Sequence, residues 1–359
     1  MDSKHNPEKT FLQGRGAQFH APNRFEKQIS SYENIDFLDE PWMDDTRTEF
    51  FIEHSKKIIN KVSSPDIPAA YSINPYQGCE HGCIYCYARN THEYWGFDAG
   101  LDFEQKIMIK ENAPELFKKA LQHPNYRPDG IMFSGNTDCY QPIERKKKIT
   151  RQLLEIFFDY RHPVGIITKN ALILRDKELL QEMAQLNLVS VNISLTTLNE
   201  KTRRAMEPRT ATSMQRLKVI EALSNLGIPV NIMAAPIIPS INDHEIPALL
   251  KSAADAGALS AGYTIVRLNG AVSAIFEDWV SKVFPNSATK VLNQISECHG
   301  GQLNDSRFRT RMHGEGPIAI SISNLFKMAK LRYFKGRSMP KLDYSLFRRP
   351  GPTQLNLFK

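Results

Sequence analysis

The chain has 359 residues, 41% of them hydrophobic and 24% charged, enough to bury one large core or two ordinary ones. No run approaches the roughly 18 apolar residues of a membrane helix, and residues 1–7 lack the apolar stretch of a secretory leader, so no membrane association and a cytoplasmic location are expected. The net charge of +7 is uneven: residues 301–359 carry twelve Lys/Arg against three Asp/Glu, which is +9, leaving −2 for the first 300. Such a basic end on a near-neutral body reads either as a polyanion-binding region or as a solvated charged surface.

Residues 1–66 are polar and punctuated by Gly, Pro and Asn, and read as an irregular N-terminal arm with an amphipathic patch at 50–62. From residue 67 to 270 strands and helices alternate. Apolar runs predict strands over 69–74, 130–134, 164–168, 188–195, 228–235 and 259–268, with a further short strand over 106–110. Helical periodicity fills the gaps: 112–121, 145–160, 176–186, a helix through Met214, Leu217, Ile220 and Leu223 closing at Gly227, and 243–256. Repeated βα units with apolar strands mean a parallel sheet covered by helices. Residues 271–347 then turn helical (274–283, 289–298, 317–333), and 348–359 read as an extended, flexible tail.

The most informative stretch follows the first strand. Cys79, Cys83 and Cys86, three of the five cysteines, are spaced C-x3-C-x2-C. Thiolates so spaced can converge on one iron–sulfur cluster, and three ligands on four irons leave one iron open. Structural zinc is the alternative, with His81 or His92 as the fourth ligand that such sites need. Disulfides are the other, although cytosolic chains rarely keep them.

This stretch, with the aromatic Tyr85 just before the third cysteine, resembles the radical S-adenosylmethionine (SAM) superfamily. The wider match, through 64–66, 74–89, 101–104 and 133–145, resembles a subgroup related to spore photoproduct lyase. The resemblance implies an open (β/α)6 partial TIM barrel over 67–270, a 4Fe–4S cluster on Cys79, Cys83 and Cys86, and SAM on the fourth iron, cleaved to a 5′-deoxyadenosyl radical.

Site residues are then expected at the carboxyl ends of the strands. Ser134, Asn136 and Thr137 end the second strand, where a small polar motif would meet the SAM amino group; Gly135 lets backbone approach closely. By the same resemblance Lys169 and Ser194 would contact the SAM carboxylate and ribose, and the stretch around Pro236 would cradle adenine. Tyr85 and Tyr87 would flank the cofactor. Cys139 and Tyr140 are the catalytic candidates, Cys139 as a hydrogen-atom donor, although free Cys is often buried and inert. Spore photoproduct lyase carries its donor cysteine before this polar pair, whereas Cys139 follows Asp138.

The function so implied is a lyase-like radical SAM enzyme fed by an electron donor and acting on nucleic acid, in DNA lesion repair or modification. A peptide or RNA substrate, and a DNA-associated protein whose cluster is structural or redox-sensing, are the alternatives. Tyr94, Trp95 and Phe97 beside the cysteine loop would offer stacking faces for a base or else cover the core. The tail residues Gln354, Leu355, Leu357 and Phe358 look like the short motif that docks on replicative sliding clamps, in which apolar anchors enter a preformed pocket.

Overall fold

The computed structural model describes residues 12–25 and 47–350. The strands are β1 (Glu49–Ile52), β2 (Ile59–Lys61), β3 (Tyr71–Ile73), β4 (Tyr76–Gln77), β5 (Lys106–Ile109), β6 (Ile131–Phe133), β7 (Val164–Thr168), β8 (Val189–Ser194), β9 (Val230–Ile237) and β10 (Ser260–Ile265). The helices are α1 (Asp102–Gln105), α2 (Ala113–Gln122), α3 (Glu144–Lys147), α4 (Ile149–Asp159), α5 (Lys177–Gln185), α6 (Glu200–Met206), α7 (Ser213–Asn225), α8 (Ile246–Asp255), α9 (Val272–Val283), α10 (Ala288–Cys298) and α11 (Gly316–Tyr333).

Seven strands form the main sheet in the order β10-β9-β8-β7-β6-β3-β2. All neighbours pair in parallel except β2, which runs antiparallel to β3. The six parallel strands are those expected from the apolar runs, each returning through a helix, which gives an open (β/α)6 partial barrel. The expected strand at 106–110 does not join it. As β5 it lies between β1 and β4 in a separate three-stranded sheet, so the arm contributes regular structure at β1 and β2.

One face of the main sheet is sealed by helices. Ile73, Phe133, Ile166, Val191 and Ile232 pack into a core with Phe117 of α2 and Phe157 of α4, whose rings are 4.5 Å apart. Phe157 is fully buried, and cutting it to Ala would cost about 3–5 kcal/mol. The concave face is different. Ser72, Met132, Ser190, Asn192, Asn231 and Met233 remain half-exposed, and Asn231 Nδ2 donates to Asn192 Oδ1 at 2.8 Å. An open barrel needs no sealed interior, and its lining is correspondingly polar.

Capping explains several helix limits. Thr212 and Gln215 form a reciprocal capping box that starts α7, and Asn199 caps α6, a helix with no clear apolar periodicity. Gly227, at φ +73°, lets the chain turn from α7 into β9.

Much of the C-terminal positive charge is structural. Arg337 donates to Ala254 O and Ala258 O at the end of α8 (2.6 and 2.9 Å). Arg348 donates to Asp159 O of α4 (3.0 Å), and Arg349 to Leu121 O and His123 O at the end of α2 (both 3.1 Å). Cations at helix C-termini satisfy the last carbonyls and the dipole. Arg337, Arg348 and Arg349 thus serve the fold, tying the basic end to helix termini.

Among the described residues no helix is long and apolar enough to cross a membrane. The clamp-like residues Gln354, Leu355, Leu357 and Phe358 lie outside the described residues, as do 1–11 and 26–46 of the arm.

Candidate active site

The cysteine loop leaves β4 and runs into a 3-10 helix (Tyr87–Trp95). Cys79 and Cys83 are buried and Cys86 is half-buried, all as free thiols. Several charged side chains hold the loop. Arg89, fully buried, donates to Cys83 O (3.0 Å), Ala99 O (3.2 Å), Gly100 O (2.9 Å) and the Glu104 carboxylate (2.5 Å). Glu104 also accepts the N–H groups of Gly16 (3.1 Å) and Ala17 (2.8 Å). The arm therefore braces the loop: a Cβ on Gly16 would lie 1.9 Å from Gly82 O. Glu80 accepts the Ile143 N–H at 2.8 Å, fixing the loop to the turn after β6.

The three thiols feel one another's field, and burial pushes Cys79 and Cys83 up, Cys83 to about 12. Ionised together they need a compensating cation. Three cysteine thiolates are the donor set of a four-iron cluster with one open iron, whereas a structural zinc takes four protein ligands. Both nitrogens of His81 are engaged: Nδ1 is 3.4 Å from Asp138 and Nε2 is 3.2 Å from Asn170 Nδ2. His92 is buried between Phe97 and Phe103, where its electrostatic neighbours are Asp102, Lys106 and Arg89. His81 is thus committed to its own partners, whereas both buried ring nitrogens of His92 lack a hydrogen-bond partner among the described residues.

Asp138 is a hub beside this loop. Its carboxylate accepts from Thr168 Oγ1, from the Lys169 N–H (both 2.8 Å) and from the Tyr140 N–H (2.9 Å). It thereby fixes the end of β7 and aims Lys169. The Lys169 ammonium stands 5.9 Å from the centre of the Tyr85 ring, in the field of Cys83, Glu207 and Cys86, and makes no ion pair among the described residues. Burial opposes its charge, but these groups more than offset that and raise it.

Beneath Lys169 lies a buried network. Glu207 accepts from Tyr85 Oη and Arg216, and from Thr196 Oγ1 at 2.9 Å. Glu207 and Arg216 are 0% and 1% exposed. Burial alone would raise the Glu207 carboxyl, yet Arg216, Lys169 and the Tyr85 hydroxyl hold it down at about 2. Arg216 also donates to Ser194 O (3.0 Å), tying the end of β8 to the same network.

The expected residues separate into two groups. Tyr85, Lys169, Asn136 and Tyr87 surround the cysteine loop: Tyr87, 51% exposed, donates its hydroxyl to Gly135 O, and Asn136 Nδ2 faces Gln77 Oε1 and Thr91 Oγ1 at 3.3 Å. The others shape the walls. Ser134, at φ +76°, donates to Thr137 O and accepts from the Cys139 N–H, and Thr137 donates to Tyr76 O. Pro236 is buried, follows a cis bond, and accepts from Asn242 Nδ2 (3.0 Å). Cys139 and Tyr140 stand one layer behind the loop, fully buried in the main core, with Tyr140 Oη donating to Asp176 (3.1 Å). Asp138, Glu207, Arg216, Arg89 and Glu104 brace the site; none is singled out by the sequence reading, although Arg89, Glu104 and Asp138 fall within the stretches that carry the resemblance.

Residues 73–253 match the model of the Radical SAM superfamily. An uncharacterized protein of Mycobacterium tuberculosis (strain ATCC 25618 / H37Rv) is 32% identical over 238 residues, 66% of this chain and 70% of that protein. An uncharacterized protein of Methanocaldococcus jannaschii is 30% identical over 191 residues, 53% of this chain and 68% of that one. The fold is similar to that of a spore photoproduct lyase mutant with bound AdoMet and dinucleoside spore photoproduct (TM-score 0.53, 14% identity, 80% of each chain). It is also similar to spore photoproduct lyase complexed with the dinucleoside spore photoproduct alone (TM-score 0.54, 13% identity, 80% of each chain). The chain belongs to the radical SAM superfamily, whose enzymes use a 4Fe–4S cluster and SAM.

Proposed function

We propose that this radical SAM enzyme acts on nucleic acid, in DNA lesion repair or modification, with Cys79, Cys83 and Cys86 holding the cluster. With a reduced cluster, SAM supplies a 5′-deoxyadenosyl radical that removes a hydrogen atom from the substrate. Beside the cysteine loop the Lys169 ammonium makes no ion pair among the described residues, and it would meet the SAM carboxylate there. Asp138 positions it through its N–H. Glu207 keeps the surrounding field from repelling it, and Tyr85 closes the floor. Asn136 Oδ1 and the backbone at Gly135 offer acceptors for the SAM ammonium.

The observation that carries the substrate class is the surface where the two ends of the sheet approach. Arg267, just past β10, lies in the fields of Arg311 and Tyr87. In the segment Arg307-Phe308-Arg309-Thr310-Arg311, Arg307 pairs with Asp305 and Glu315 and Arg311 with Asp66, so the cations open to a phosphate are Arg309 and the neighbouring Arg267, beside Phe308, which is 53% exposed and lies under the Arg311 guanidinium at 4.5 Å. Cations for phosphates beside aromatics for bases are what nucleic acid binding uses. The spore photoproduct lyase structures with a bound dinucleoside support the same reading.

The test is anaerobic reduction with SAM, following 5′-deoxyadenosine with and without DNA across a salt series. Stimulation by DNA that fades with salt is expected. No SAM cleavage would make the cluster structural or redox-sensing, and cleavage unaffected by any nucleic acid would point to a peptide.

A further inference from the structure

On the concave face, next to the Gly135 carbonyl that receives the Tyr87 hydroxyl, is a cleft of about 390 Å³. Its polar lining is the carboxamides of Asn60, Asn74, Gln77 and Asn136, the Ser72 hydroxyl and the Lys110 ammonium, with no carboxylate among the described residues. Internal bonds use only part of this capacity. Asn74 Oδ1 accepts the Asn136 N–H (2.8 Å), Gln77 Nε2 donates to Thr91 Oγ1 (2.7 Å), and Asn60 Nδ2 reaches Ile58 O (3.3 Å). With Asn136 Oδ1 given to SAM, Asn74 Nδ2, Asn60 Oδ1 and the Ser72 hydroxyl remain for a guest. Lys110 is only 11% exposed, and Glu53, its one nearby carboxylate, is 4.0 Å away. Met132 and Ile67 supply an apolar wall.

A carboxamide offers a donor and an acceptor side by side, the complement of a nucleobase edge. An enzyme that must reach an atom inside a stacked helix extrudes the base into a pocket. We propose that this cleft receives one unstacked nucleobase of the substrate, reading its edge through the carboxamides while Lys110 meets the adjacent phosphate. The proposal rests on the nucleic-acid reading above and adds to it a base pocket distinct from the arginine-bearing surface. Tyr87, the residue after the third cysteine, donates its hydroxyl to the carbonyl of Gly135 in the cleft's lining, which ties the cleft to the cysteine loop.

The test uses the full chain, anaerobically reconstituted, and fluorescein-labelled dodecamers of dA, dC, dG and dT read by anisotropy. The native protein should discriminate among the four. Asn60→Leu should flatten that discrimination. Lys110→Met should weaken all four by about tenfold, the loss of one charge-assisted contact, and reduce the salt slope by about one. Iron content and melting midpoint should hold in both. Independently, a dodecamer carrying 4-thiothymidine should photo-crosslink the native chain within residues 58–77 or 131–137. Crosslinks elsewhere only, or discrimination kept in both variants, overturn the cleft but leave the nucleic-acid reading standing. No oligonucleotide binding by the native chain overturns both.

Discussion

Replacing Glu207 by Leu removes the carboxylate that accepts from Tyr85, Thr196 and Arg216, and leaves a guanidinium 1% exposed without its counter-ion. Breaking one side of a buried pair costs about 3–5 kcal/mol. The field gives the same order independently: holding Glu207 at about 2 instead of 4.5 corresponds to roughly 3 kcal/mol. Arg216→Met on top of Glu207→Leu removes the stranded charge, so the double variant should be less destabilised than Glu207→Leu by about 2 kcal/mol, within the range for coupled neighbours. Ile84 donates its N–H to Met206 O at 3.0 Å, so the same perturbation should loosen the cysteine loop and lower iron retention. Urea denaturation followed by circular dichroism, with the slope checked for constancy, and iron per chain are the readouts. Simple addition of the two single effects, or a Glu207→Leu cost below about 1 kcal/mol, would refute the coupling.

Cys79→Ala, Cys83→Ala and Cys86→Ala should each abolish iron binding after anaerobic reconstitution, whereas Cys139→Ala and Cys298→Ala keep it; a stoichiometric zinc in the native chain would contradict this. Lys169→Met and Asn136→Ala should each weaken SAM binding by about 1–3 kcal/mol with iron unchanged, and unaltered affinity in both would move the SAM site. His162 accepts from Tyr126 Oη and donates to Pro163 O, both at 2.8 Å, and burial lowers it to about 4. Above pH 6.5 it is neutral folded or unfolded; between 6.5 and about 4 only the unfolded chain takes up the proton, so stability falls by up to about 3 kcal/mol. His162→Gln should shrink the drop in urea midpoint between pH 7.5 and 5, and an unchanged drop would count against it. The tail residues Gln354, Leu355, Leu357 and Phe358 are tested by titrating the chain onto a replicative sliding clamp: a dissociation constant of about micromolar is expected, lost on changing Leu357 and Phe358 to Ala, and no native binding removes the docking proposal.

The six barrel strands were legible because parallel strands packed under helices write themselves as short apolar runs, 164–168 and 189–194 most plainly. The cysteine loop was legible because its ligands are local. The three-residue β2 and the fully exposed β1 were not, since neither has a buried face to impose alternation. Glu207 and Arg89 read as surface charges by type. What makes them interior is pairing that local periodicity does not register, Glu207 with Tyr85, 122 residues away, and Arg89 with Glu104, 15 away.

An open fan of strands has two raw edges, and each is a template for pairing with another molecule. Here the β3 edge is covered by the short β2, which ends on Lys61. The β10 edge is covered by the C-terminal region: Ile265 donates its N–H to Met312 O (2.9 Å), Lys330 Nζ reaches Ala261 O (2.6 Å), and Tyr263 stacks on Phe326 at 4.5 Å. The segment that carries the arginines is therefore also an aggregation guard. Cutting the chain near residue 301 to strip its charge would expose β10 and precipitate the protein before any loss of binding could be read, so the charge has to be removed one side chain at a time.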